Sequence, residues 1–450
     1  MTRLVQPLAI SALAAALLCT AAGNGRARVA AGPGVSASAA ADSSALGPGD
    51  APPAPTAADS LTAPFRIVFF EPEPSGAPDA ESRPAIQIGA RRDHTRWDRR
   101  DPWSVEPASF LRYNRVEGIG LSVLFDRGLD RKTYQPAYRA GIGYAFAPQR
   151  GQFILGMEQP LTQRAKLTLG AMAYRRFLTF FYGDEIIDTG ENSASALFLH
   201  RDYRDWYEAD GVRGWIGFHT SPYLTITAGV TSREERSLRV ASNWSLFRQT
   251  TPFRTNPKAA EGNYRAYDAT LTYDSRPRSD RSHWGSVEHF HRLRWERAEK
   301  SLSGDFDLWR LVADSRVYLR LSPAQSLAVR ALVGTGGARE GRLPSQRRFF
   351  LGGIGTLRGH GFRSLEGDHA VLTNIQYEFD VSGSSRALVV LDTGTAFDGR
   401  DLGALFEQKI AVDLGAGLRL GENGVQFLLS RSINRRNADV NLTVRFQDTF

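Results

Sequence analysis

Any chemistry in this chain has to come from a few polar residues at definite spacing. Arg358 lies in a basic, glycine-dense stretch, Arg347-Arg348-Phe349-Phe350-Leu351-Gly352-Gly353-Ile354-Gly355-Thr356-Leu357-Arg358-Gly359-His360. A guanidinium held there can grip a carboxylate through two parallel N–H bonds. His289 and His291 stand two apart, the spacing at which two strand residues share a face and can meet a metal. They fall on the parity of Val287, Leu293 and Trp295, the apolar side, so a headgroup-level position is expected instead. Asp368 and His369 are adjacent, would point to opposite faces of a strand, and cannot form a dyad. The chain carries no nucleophile elbow, phosphate loop or paired metal motif. No catalytic residue, metal site or cofactor is expected, and the protein is read as not an enzyme.

The frame around these residues is made of short alternating runs. In 409–420, Ile410, Val412, Leu414, Leu418 and Leu420 share one face, and Lys409, Asp413, Gly415, Gly417 and Arg419 the other. In 371–379, Val371, Ile375, Tyr377 and Phe379 oppose Asn374, Gln376 and Glu378. The last run sets Val440, Leu442, Val444, Phe446 and Phe450 against Asn441, Thr443, Arg445 and Gln447. This period of two marks strands. A soluble sandwich rarely places so many ionised residues on one face of runs of ~9–11 residues, the span of a tilted transmembrane strand. A polar lumen accepts them without desolvation. The expected fold is all-β, an antiparallel transmembrane β-barrel.

Between two such runs, Gly352, Gly353, Gly355, Gly359 and Gly361 permit positive φ and close approach of other chain. Phe349 and Phe350 beside them have no place in a solvated loop. The stretch is therefore expected to fold back and pack inside something.

Fifteen runs from Arg112 onward read as strands: 112–121, 137–146, 152–159, 166–177, 212–219, 224–231, 264–274, 286–297, 308–321, 326–333, 371–379, 387–397, 409–420, 425–432 and 439–450. A long connection at 181–211 is expected outside the cell, and another long loop runs to about residue 263. A bacterial single-chain barrel has an even number of strands. A missing strand is expected before Arg112, at 85–88 or 65–70.

The N-terminus sets the compartment. Arg3, an apolar core over 4–18 and Thr20-Ala21-Ala22 make a signal peptide, 1–22. Leu18 precedes Cys19 where a lipoprotein needs a small residue, so ordinary cleavage is expected to remove Cys19, the only cysteine. The mature chain would then hold no disulfide or thiolate metal site. Residues 23–63, rich in Ala, Gly, Pro and Ser, read as a disordered linker. Residues 64–111, with a dense charge run at 91–101, read as a periplasmic segment that can include the first strand. The barrel itself is 112–450. The 450-residue chain carries a net charge of +8, but its arginines are scattered and form no nucleic-acid patch. A basic lumen or anionic lipid headgroups fit that scatter. No other run approaches the ~20 apolar residues of a spanning helix, and a secreted chain without one is integral to a membrane only as a closed barrel.

Phe349-Phe350-Leu351-Gly352-Gly353 with Arg358-Gly359 resembles the inward-folded loop of the BamA/TamA-like outer-membrane barrel superfamily, the bacterial surface antigen family. Tyr113-Asn114-Arg115-Val116-Glu117-Gly118 is similar to the opening of its short members, and Tyr273-Asp274-Ser275-Arg276 to one of its periplasmic turns. The terminal Phe450, in phase with Phe446, resembles the family's C-terminal insertion signal, although Asp448 puts a charge where an apolar residue is usual. The resemblance implies about 16 strands and a glycine-rich plug packed through Phe349, Phe350, Gly352 and Gly353. It implies that Arg358, next to Gly359, crosses the lumen to an acid on a late strand. Asp392, in Val389-Val390-Leu391-Asp392-Thr393-Gly394, matches that strand and falls on the inward parity; Glu378 is the alternative acceptor. His360 stands where the family has an aromatic, and Phe362 follows two residues later.

The implied function is membrane-protein insertion or polypeptide export in the bacterial outer membrane. Implied partners are outer-membrane lipid, the assembly machinery and a separate periplasmic protein. The segment before Arg112 is too short for the periplasmic capture domains of complete assembly factors, so a passive pore or structural barrel is the alternative.

Overall fold

The structure is a computed structural model. It describes residues 104–105 and 111–445, apart from short gaps at 128, 130–133, 181–185, 188, 248–250, 277–284, 383–384, 422–424 and 436–437. The signal peptide, the linker, both candidate first strands (85–88 and 65–70), Phe446 and Phe450 lie outside the described residues.

β1 (Ser104–Val105) and β2 (Leu111–Asn114) both pair antiparallel with β3 (Gly118–Arg127), so they are two pieces of one wall strand. This corrects the reading of 112–121 as a single strand. The chain reverses at Arg115-Val116-Glu117, where Asn114 Oδ1 accepts from the N–H groups of Val116 and Glu117, an Asx-type turn. Gly118 leaves the turn at φ 61°, a conformation that favours glycine.

Each following strand pairs with the next: β4 (Ala137–Ala145), β5 (Arg150–Pro160), β6 (Leu167–Thr179), β7 (Trp206–His219), β8 (Leu224–Ser237), β9 (Gly262–Asp274), β10 (Val287–Ala298), β11 (Leu308–Ser322) and β12 (Gln325–Ala338). A small hairpin, β13 (Phe349–Leu351) with β14 (Leu365–Gly367), forms its own two-stranded sheet. The wall resumes with β15 (His369–Ser382), paired directly to β12, and runs through β16 (Ser385–Phe397), β17 (Ala411–Leu420), β18 (Val425–Ser432) and β19 (Asn441–Arg445). With β1 and β2 counted once, the 17 segments of the large sheet make sixteen wall strands.

β2 and β19 are the two ends of this succession of pairs, and among the described residues no residue-by-residue register joins them. The sheet is not closed by a ladder at this seam. Alternation decides what faces out. Leu414, Leu418 and Leu420 of β17 are exposed, whereas Asp413 and Arg419 are buried. Wall strands of up to 15 residues exceed the sequence reading. β7 in particular begins at Trp206, so 206–211 belongs to the wall and not to the outside loop expected over 181–211. That connection carries the one α-helix of the described residues, α1 (Thr189–Leu199).

Candidate functional site

The candidate site is the segment between β12 and β15, which turns into the barrel. Its base is pinned by Arg347, whose guanidinium spans Glu235 of β8 at 2.6 and 2.8 Å and lies 3.8 Å from the ring centre of Tyr264. Gln346 Nε2 donates to the same carboxylate at 2.9 Å. Phe349 is 1% exposed and covers Gly334 of β12; a side chain at 334 would occupy the space of the ring. Phe350 is stacked by the Arg363 guanidinium, 3.3 Å from its ring centre. Gly352, Gly353 and Gly355 take φ of 115°, 88° and 72°, and so turn the hairpin where other residues would be strained.

The tip meets the late wall. On one cross-strand row, Asn374 of β15 stands opposite Asp392 of β16, and Asp392 opposite Asp413 of β17. Two carboxylates directly opposite repel, and both are almost fully buried. The tip brings the positive charge and the donors that this row needs. Arg358 donates to Asp392 through Nε at 2.8 Å, Nη2 at 2.6 Å and its backbone N–H at 3.1 Å. Asn374 Nδ2 adds a fourth donor at 2.8 Å. Asp413 accepts from the Gly359 N–H at 2.6 Å and faces His360 Nδ1 at 2.8 Å. The Arg358 carbonyl accepts from Ser430 Oγ of β18 at 2.6 Å. A methyl on Gly359 would run into the β18 backbone at Arg431 and Ser432, which is why glycine stands here.

Glu378 is not the direct acceptor of Arg358. Gln376 sits between them, accepting from Arg358 Nη1 at 2.9 Å and donating to Glu378 at 2.7 Å. Glu378 pairs instead with Arg419 of β17 at 2.9 and 3.1 Å. Sequence reasoning missed the roles of Asn374, Gln376 and Asp413, although each lay on the polar parity of its run. It also missed the Arg347–Glu235 pair, whose members are 112 residues apart with no local signal. His289 and His291 lie side by side with ring centres 5.5 Å apart, and His291 Nδ1 is 2.8 Å from Ser315 Oγ.

The early wall is arranged differently. Glu117 collects Arg112 (2.7 Å twice), Asn114 (2.6 Å) and Gln152 (2.6 Å). Arg112, Glu117 and Gln152 border a cavity of about 280 Å³ that also reaches Arg139, Arg176 and Trp206. Above it Arg115, buried in the first turn, pairs with Asp202 at 2.9 Å and Asp205 at 2.6 Å. Burial pushes the Asp202 carboxyl up, but Arg115 and Arg254 outweigh it and hold the group below its usual range.

A family model described as the Omp85 superfamily domain matches residues 139–441. The chain belongs to the Omp85 superfamily. It is an outer-membrane β-barrel of the assembly and translocation superfamily, and its place is the bacterial outer membrane. The Omp85 barrels are non-enzymatic assembly and transport proteins. BamA from Haemophilus ducreyi lacking POTRA domains 1–3 is a similar solved structure, with 11% identity, a TM-score of 0.49, and coverage of 74% of this chain and 67% of that one. CdiB from Escherichia coli is 11% identical, with a TM-score of 0.44 and coverage of 77% and 67%. CdiB from Acinetobacter baumannii is 10% identical, with a TM-score of 0.40 and coverage of 74% and 57%. None of the curated proteins matches the sequence.

Proposed function

We propose that this Omp85 barrel handles extended polypeptide at its seam, aiding insertion of other outer-membrane barrels or export of a polypeptide, without catalysing a covalent reaction. The observation that supports this reading most is the division of labour in the wall. The tip of the inward loop ties β15 to β18 into one block, while no register joins β2 and β19 among the described residues. An unpaired strand edge carries a row of free N–H and C=O groups and is a template for another strand. The Arg358–Asp392 pair acts as the fixed pivot, and the seam is the working edge. A separate periplasmic protein delivering the client fits this role, as does the outer-membrane assembly machinery.

Purified protein in liposomes tests it. The expected result is faster folding of an added unfolded outer-membrane barrel, together with low, closed conductance in planar bilayers. A large, stable open conductance with no effect on folding would establish a passive pore instead.

A further inference from the structure

The seam is occupied. α1 begins among lumen residues: just before it, Ile186 and Ile187 are buried with Ile354 and Phe350 of the plug. Its first turn meets the last strand. Arg445 of β19 donates to the Ile186 carbonyl at 2.6 Å and lies 3.4 Å from Glu191. A carboxylate in the first turn of a helix also suits the helix dipole. One residue-pair further on, α1 meets the first strand. Tyr113 of β2 donates its backbone N–H to Ser193 Oγ at 3.1 Å, and its ring packs on Ala196, which is fully buried. The helix ends with Phe198 43% and Leu199 54% exposed, beside the exposed Phe247. Ser193, Ala194, Ser195 and Ala196 are small enough to let a helix pass close to strand backbone.

We propose that α1 is a resident wedge in the seam, holding β2 and β19 through its own side chains, so that seating of the helix and capture of a client strand on β2 exclude one another. The inference rests on the seam being the docking edge. The Tyr113 N–H is the donor that the carbonyl of an incoming strand would take, and Ser193 holds it. Release of α1 would free that edge and, at the same time, remove the contact at Arg445. The client class follows: an extended β-strand supplying backbone carbonyls, with apolar side chains alternating toward lipid.

The probe is a labelled synthetic peptide with the sequence of residues 439–450 of this chain, titrated against the purified full-length protein in detergent. Replacing 189–199 with a Gly-Ser linker of equal length is expected to tighten peptide binding about tenfold, the factor removed when a competitor seated roughly nine-tenths of the time is lost. The milder variant Glu191→Gln with Ser193→Ala keeps the helix and is expected to give a smaller gain in the same direction, about threefold by the same population argument. It serves if the linker variant loses heat-modifiable gel mobility. Equal affinity in wild type and every folded variant overturns the wedge and leaves strand capture standing. Peptide binding to none of them overturns strand capture at the seam, and the wedge with it.

Discussion

The late wall and the early wall are built from the same alternating strands, yet they are held in different ways. From β15 to β18 the inner face is a row of buried carboxylates and amides that is complete only when the loop tip arrives with Arg358, Gly359 and His360. Around β2 to β6 the inner polar groups satisfy one another, as Glu117 does with Arg112, Asn114 and Gln152, and the plug meets this side through apolar contact, Phe350 and Ile354 being buried with Ile154 of β5 and Tyr174 of β6. The polar inner face of the late wall is therefore completed by the plug, and the Glu117 cluster of the early wall by residues of the wall and its first turn. Charged and hydrogen-bonded ties to the plug make a rigid side, and apolar packing on it leaves the side that can yield at a seam.

That contrast can be broken most severely at the pivot. Arg358→Ala leaves Asp392 buried beside Asp413 without its cation and is expected to cost about 3–5 kcal/mol. The readout is loss of heat-modifiable mobility and reduced abundance in the outer membrane. Unchanged folding would remove the distinction between the two walls. Asp392→Asn in the same chain should restore part of the loss, because the double change no longer strands a charge.

Gly359→Ala is the next test. Its methyl would meet β18 backbone, which cannot rotate away, and the expected cost of such overpacking is about 1–3 kcal/mol. The thermal midpoint of the folded gel band measures it.

Arg112→Ala on the early wall should do less, about 1 kcal/mol, since Glu117 keeps Asn114 and Gln152 and borders a cavity that can take water. Were it as damaging as Arg358→Ala, the comparison would fail in the other direction.

The smallest effect concerns the cap over the early wall. Asp202 is held below its usual range, so its pairing stabilises above the ordinary carboxyl range and is lost as the pH falls through the lowered folded value. Hydrogen exchange across 189–205 should quicken in strong acid, and Asp202→Asn should flatten that dependence. A pH-independent profile in the unaltered protein would show that the cap is held by packing alone.

Much of this is legible in the sequence. A period of two needs only local sterics, so alternation on 371–379 and 409–420 identified the wall and its inward polar set. Glycines flanked by paired phenylalanines marked the plug, because no solvated loop requires both. The break at Asn114–Gly118 was hidden inside one apparent run, since the Asx turn is polar without being glycine-rich until its last residue.

What the sequence by itself determined is the strand character, the inward faces and a plug bearing Arg358. These depend on neighbours within a few residues. Only the tertiary structure decided that Asp392 and Asp413 face each other across adjacent strands, that Gln376 stands between Arg358 and Glu378, and that α1 lies against both β2 and β19. Register across strands and the destination of a long loop are set by which distant backbones meet, and a one-residue shift would have sent every one of those side chains to the opposite face.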